Sequence, residues 1–140
     1  MTHRVLYIGR WVVDFLFASE HYDVEEVLSY MYELDVPFPI MSRIKEILVD
    51  DMKNTGFTYA DPELMTALVV IGPTSSGAEF IDTLTHEVHH LAVIIADNLG
   101  IDLESETPAY LAGDSVRELA DVVCFYGCSR CRRDEAPDFN

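Results

Sequence analysis

Apolar residues recur along this chain at two spacings, one typical of helices and one typical of strands. Residues 23–34 carry an apolar residue every three or four positions with glutamates between them, which predicts an amphipathic helix. Pro37 and Pro39 follow, and because proline cannot continue a helix, they predict its end. The helical spacing returns over residues 42–53 and predicts a second helix.

Strand-like segments lie on either side of these two helices. Residues 5–8 predict a short strand, whereas residues 10–18 are apolar nearly throughout and fit either a strand or a buried helix. Residues 56–60 and 66–71 flank an Asp-Pro turn and predict a hairpin. The second segment of this hairpin is apolar on both faces, so we expect it to be a buried strand.

The most regular helical pattern begins after Ser76, which lies three residues before Glu79 as in a capping box. Gly100 predicts the end of this helix. The apolar positions between these limits are Phe80, Leu84, Val88, Leu91, Ile95 and Leu99. A Thr-Pro pair then predicts the start of a last helix over residues 107–125, because proline suits the first helical position.

These elements together predict the fold class. We expect an α+β domain with about four helices packed on a small, mostly antiparallel sheet. A chain of 140 residues is one domain by length and can bury a core without disulfide bonds. We expect a single domain over residues 1–140, in which the polar residues 129–140 form a loose tail.

The charge balance excludes two classes of partner. Nine Lys and Arg stand against 25 Asp and Glu, which gives a formal net charge of −16. Such a surface repels phosphate backbones and anionic lipids, so we expect neither a nucleic-acid nor a membrane partner. The sequence also shows no secretory signal and no apolar run of the roughly 20 residues that a membrane helix needs.

Three cysteines, Cys124, Cys128 and Cys131, lie close together near the C-terminus. An odd number of clustered cysteines does not fit a disulfide framework. The last two have the spacing of a metal-binding pair, but a fourth ligand is not evident, and reduced thiols at a helix end are the favoured interpretation. We therefore expect a reducing, cytoplasmic setting.

The segment that carries chemistry is His86-Glu87-Val88-His89-His90. His86 and His90 are four residues apart on a predicted helix, so they lie on one face about one turn apart. Two imidazoles at that spacing can bind one tetrahedral zinc ion. Glu87 is turned about 100° around the helix, from where a carboxylate can accept a proton from a water activated by the metal.

A zinc site needs a third protein ligand, and the sequence offers several carboxylates after the histidines. These are Asp97, Asp102, Glu104, Glu106 and Asp114. Asp97 lies nearly two turns beyond His90 and is too far along the helix axis. Glu106 is the best placed, because the chain turns back there and a second helix begins, and Glu104 is the reserve. His89 points away from the face that His86 and His90 share.

Residues 56–120 resemble the active-site half of zincin metallopeptidases that use a glutamate as third ligand. They are more closely similar to small zincin-like proteins encoded by phages and mobile elements. The resemblance implies zinc bound by His86, His90 and Glu106, Glu87 as the general base, and a peptide-bond substrate. It also implies an intracellular location that includes an infected host cell or a virion.

The resemblance suggests a role for Tyr110, which lies one turn after Glu106. In some zincins a tyrosine donates a hydrogen bond to the tetrahedral oxyanion, and such donors contribute several kcal/mol in general. Packing of Tyr110 between two helices is the favoured alternative.

Two alternatives to an enzyme remain open from the sequence. One is a catalytically inactive zincin-fold protein, for example phage-encoded, that binds a protein partner or a second copy through its acidic surface. The other is a domain in which zinc only holds helices together. The first interpretation, zinc-dependent hydrolysis of a peptide or protein substrate, differs from both because it requires Glu87.

Overall fold

The fold consists of a four-stranded sheet and five helices in the part of the chain that the structure describes. The structure is a computed structural model, and it describes residues 1–50 and 52–128. The strands are β1 (Thr2–Ile8), β2 (Trp11–Phe17), β3 (Gly56–Asp61) and β4 (Thr66–Ile71). The helices are α1 (Val24–Glu33), α2 (Phe38–Val49), α3 (Gly77–Asn98), α4 (Thr107–Glu118) and α5 (Ala120–Gly127).

The sheet is mixed, with the strand order β1-β2-β4-β3. β1 and β2 form one antiparallel hairpin, β3 and β4 form another, and parallel pairing of β2 with β4 joins them. Gly9, in the turn between β1 and β2, has a φ of 60°, which glycine adopts without steric cost. The predicted hairpin and the mostly antiparallel sheet are confirmed, whereas the parallel pairing at its centre was not predicted.

Helices cover both faces of the sheet, and each face has its own apolar core. α3, α4 and α5 pack on one face, and α1 and α2 pack on the other. Because side chains alternate across a strand, β2 contributes Phe15 and Phe17 to the first core and Leu16 to the second. Burial on both faces explains why β4 is apolar at successive positions.

One ambiguous segment is resolved, and two elements differ from the sequence expectation. The ambiguous residues 10–18 contain a strand, β2. α2 begins at Phe38, and Pro39 lies in its first turn, where a missing N–H costs no hydrogen bond. The last helix is divided at Leu119, whose N–H donates to the carbonyl of Val116 at 3.1 Å, in a tighter turn than that of an α-helix. The described chain therefore has five helices, one more than expected.

Two further observations concern the cysteines and the membrane. Cys124 is exposed and Cys128 is half-buried at the end of α5. Cys131 and the predicted loose tail, residues 129–140, lie outside the described residues. Among the helices that the structure describes, none has both the length and the apolar character required to cross a membrane.

Candidate metal and catalytic site

Helix α3 carries the histidines and presents them to solvent. The helix begins as predicted, because Oγ of Ser76 accepts a hydrogen bond from the N–H of Glu79 at 3.2 Å. The residues that face the core are Phe80, Leu84, Val88, Leu91 and Ile95, and all are buried. These positions hold α3 on the sheet, so His86 and His90 lie on its exposed side.

The two histidines are adjacent, as their spacing predicts. The Nε2 atoms of His86 and His90 are 3.0 Å apart, and the ring centroids are 4.6 Å apart with the rings nearly perpendicular. Two nitrogens bound to one tetrahedral zinc ion at its usual ligand distance are about 3.3 Å apart. The pair therefore fits two positions of a zinc site with only a small movement of the rings.

Glu87 lies between α3 and the edge strand β3. Its side chain is only 5% exposed, in contrast to the exposed histidines before and after it. The hydroxyl of Thr58 donates to Oε2 of Glu87 at 2.7 Å, and it also lies 3.3 Å from the backbone carbonyl of Glu87. The carboxylate is thus held against β3 by one strong hydrogen bond.

Close packing of α3 on β3 depends on Gly56. A Cβ atom at this position would lie 2.6 Å from the carbonyl oxygen of Val70 and 3.0 Å from Cγ of Glu87. It would also lie 3.2 Å from Cγ2 of Thr83. The absence of a side chain at Gly56 is therefore what allows Glu87 to approach the strand.

A small cavity of about 280 Å³ opens beside this contact. It is lined by Asn54, Thr55, Gly56, Asp82, Thr83, His86 and Glu87. Asn54 is fixed at its rim, because its Oδ1 accepts the N–H of Ser75 at 2.9 Å. The cavity brings the buried carboxylate and the first histidine to one space that a small molecule or a peptide group can enter.

The structure does not group the proposed third ligand with the histidines. Glu106 lies at the start of α4, and its Oε2 accepts a hydrogen bond from the hydroxyl of Tyr110 at 3.2 Å. Tyr110 is 65% exposed, so it does not pack between two helices. Among the described residues, no group of three or more His, Cys, Asp or Glu side chains is close enough to hold a metal ion. The ligand set with Glu106 therefore stays a prediction.

Sequence reasoning missed the residues of β3 that contact the site. Thr58 and Gly56 belong to a strand that was predicted, but nothing in its local pattern indicates which helix crosses it. The weak signal available was alternation, since both residues fall on the face of the strand that also carries Ala60, which packs on the core with α3. Asp82, one turn before His86, was also missed.

The remaining histidine in this segment and the other carboxylates do not join the pair. His89 was expected to point away from the face of His86 and His90, but it lies on the same exposed side of the helix, with its ring centroid 6.4 Å from that of His90. The N–H of Glu104 donates to Oδ1 of Asp102 at 3.0 Å, and both residues lie in the loop before α4.

Comparison of this chain with protein-family models, curated proteins and solved structures gives no match in any of the three.

Proposed function

We propose that this chain is a zinc-dependent peptide hydrolase whose metal site is built on His86 and His90. One observation carries the proposal, namely that two imidazole nitrogens 3.0 Å apart stand beside a buried carboxylate on the same helix. That carboxylate, Glu87, borders the same cavity as His86. Imidazole ligands suit zinc, although ligand type alone does not select the metal.

Glu87 is the residue that moves the proton in this mechanism. A zinc ion, when bound, supplies a Lewis acid that polarises the scissile carbonyl and acidifies water. Glu87 accepts a proton from the attacking water and passes it to the leaving amine. Its Oε2 is engaged by the hydroxyl of Thr58, so Oε1 is the oxygen that takes the proton. Thr58 acts as a positioning residue, because its hydrogen bond fixes the rotation of the carboxylate.

Glu106 remains our proposed third ligand, with Glu104 as the reserve. Catalytic zinc sites use three protein ligands and keep a fourth position open. A metal ion could bind Oε1 of Glu106, or could replace the hydroxyl of Tyr110 at Oε2 and break that hydrogen bond. In the second case, the hydroxyl of Tyr110 is available to donate to the oxyanion of the substrate.

The outer edge of β3 offers a binding place for a peptide. The N–H of Gly72 donates to the carbonyl of Thr55 at 2.9 Å, so odd-numbered positions of this segment face β4. The backbone groups of Gly56, Thr58 and Ala60 therefore point away from the sheet. An extended peptide can pair with these groups and pass beside the cavity.

Metal content of the purified protein is the first test. We expect about one zinc ion per chain, lost when His86 and His90 are both replaced by alanine. His89→Ala is the matched control, because this histidine lies on the same exposed side and should leave the zinc content unchanged. A wild-type protein that holds no metal even after zinc is added back would contradict the proposal.

Two carboxylate pairs then test the ligand set and the base. We expect Glu106→Gln to weaken zinc binding by more than about tenfold, whereas Glu104→Gln leaves it unchanged. We expect Glu87→Gln to abolish hydrolysis of a peptide library by the zinc-loaded protein while zinc is retained. Asp82→Asn, at the same cavity, is the control for a loss of negative charge alone.

A second candidate function is a zinc-binding interaction protein without activity. It is favoured by one specific observation, that the described residues hold no third ligand beside the histidines. Its acidic surface, with a net charge of −16, would then bind a basic partner. Zinc bound by the wild type, with no cleavage in a library that samples all residue types, would support this candidate over the enzyme.

A further inference from the structure

The outer edge of β1 carries a row of backbone groups that no other described strand uses. The N–H of Val12 donates to the carbonyl of Met65 at 3.0 Å, and the N–H of Ala18 donates to that of Ile71 at 2.9 Å. Even-numbered positions of β2 therefore face β4, and odd-numbered positions face β1.

The register of the first hairpin then settles which groups of β1 are unused. The odd positions of β2 pair with even positions of β1, because Ile8 is opposite Trp11. The N–H and C=O groups of His3, Val5 and Tyr7 consequently point outward. Between described segments, no backbone hydrogen bond uses any of them.

β1 also lacks the features with which natural proteins protect an edge strand. It is seven residues long and contains neither proline nor lysine. Its basic side chains are turned to acids of the same chain, since His3 lies 2.7 Å from Asp14 and Arg4 pairs with Asp121. Tyr7, in contrast, is 76% exposed.

The outward groups of β1 are self-complementary about Val5. When two copies of the strand meet antiparallel with Val5 opposite Val5, His3 of each copy lies opposite Tyr7 of the other. All three pairs are then of the type in which the two residues exchange both N–H···O bonds. The two-fold axis places Arg4 opposite Leu6, so no like charges stand directly opposite each other.

A groove beside β1 gives the second copy room and a neutral surface. The groove has a volume of about 890 Å³ and lies between β1 and α4. Its charged lining includes Arg4 and Arg117 against Asp114 and Glu118, so these four side chains balance. The chain as a whole has a net charge of −16, so two copies repel each other over most of their surface. Because the charges of the groove balance, two copies meet there with less repulsion.

We infer that two copies of this chain associate through β1 and form one continuous eight-stranded sheet. A two-fold axis perpendicular to the sheet keeps the α3–α5 layers of both copies on the same face. The groove between β1 and α4 of one copy then joins that of the other, and both copies of α4 border the shared space.

Sedimentation of the full chain, compared with four variants, tests this inference. We expect the wild type to sediment as a dimer, with twice the chain mass of 15.8 kDa, and to dissociate more readily at low salt. Val5→Pro removes an outward N–H that β2 does not use, so it should fold and be monomeric. Tyr7→Lys should raise the dissociation constant by more than about tenfold.

Tyr32→Lys is the matched control, since Tyr32 on α1 is 77% exposed and far from β1 in sequence. It should sediment as the wild type does. A wild type that stays monomeric at millimolar concentration would overturn the inference, as would a Val5→Pro variant that folds and dimerises normally. If circular dichroism shows that Val5→Pro is unfolded, the dissociation constant of Tyr7→Lys alone tests the inference, and a value equal to that of the wild type would overturn it. A dimer lost only in Ala60→Pro would place the interface at β3 and would also overturn it.

Discussion

Glu87 differs from every other carboxylate that the structure describes, because it is the only one that is buried. The chain has 25 acidic residues, and a carboxylate without a full set of partners is costly to remove from water. Its position beside two exposed imidazoles, with Thr58 as donor, supports the catalytic role that we propose for it.

Replacement of Thr58 tests this residue-scale arrangement. We expect Thr58→Val to lower the free energy of unfolding by about 1–3 kcal/mol, because the buried carboxylate loses its donor while the side-chain shape is kept. Thr58→Ser retains the hydroxyl and should recover most of this loss. Urea unfolding of the metal-free protein measures both values.

The same pair of variants separates positioning from metal binding. With zinc bound, Thr58→Val should lower kcat by about tenfold or more with little change in KM, and Thr58→Ser should restore it. Zinc affinity should be equal in all three proteins. Equal stability of Thr58→Val and the wild type would contradict a stabilising hydrogen bond between Thr58 and Glu87. Unequal zinc affinity would contradict the assignment of Thr58 as a positioning residue.

At the scale of elements, the packing of α3 on β3 depends on one glycine. We expect Gly56→Ala to lower the free energy of unfolding by about 1–3 kcal/mol, because its Cβ would lie 2.6 Å from the carbonyl oxygen of Val70. Thermal or urea unfolding measures the change.

Gly113→Ala provides the matched control for this substitution. Gly113 lies inside α4, and a Cβ atom there meets nothing within 4 Å. Alanine is favoured over glycine in a helix interior, so this variant should gain about 0.5–1 kcal/mol. Two changes of the same sign would show that the effect comes from the residue type rather than from the contact between α3 and β3.

The elements differ in how well their sequence predicts them. α3 was predictable because its cap, Ser76 with Glu79, and its apolar stripe are both local signals. β2 was not, since a strand buried on both faces shows no alternation. The last helix was predicted without its break, because the tight turn at the buried Leu119 is not marked by a proline or a glycine at that position.

The candidate site was predictable only in part for a related reason. His86 and His90 are four residues apart, so the helix alone brings their nitrogens together. The contact of Glu87 with Thr58 joins residues 29 positions apart and depends on which strand α3 crosses. The strand order β1-β2-β4-β3, which places β3 at an edge of the sheet, is not contained in any local pattern of this chain.

At the scale of the whole molecule, the apolar cores are complete without the histidines. One core lies between the sheet and α3–α5, the other lies between the sheet and α1–α2, and neither includes His86 or His90. Both histidines are exposed. A metal ion bound by them would therefore lie outside the layers that hold the fold together.

This arrangement predicts that removal of metal leaves the fold intact. We expect chelation of the zinc-loaded protein to leave the far-ultraviolet circular dichroism spectrum unchanged, because both cores keep their contacts. The free energy of unfolding should fall only by the binding linkage, which is about 2.7 kcal/mol when free zinc is at 100 times its dissociation constant, and the Tm should fall accordingly. His86→Ala with His90→Ala should have the Tm of the chelated wild type, since both lack the same ligand. Unfolding on chelation would instead show that zinc is a structural part of the domain, because metal-binding free energy would then be folding free energy.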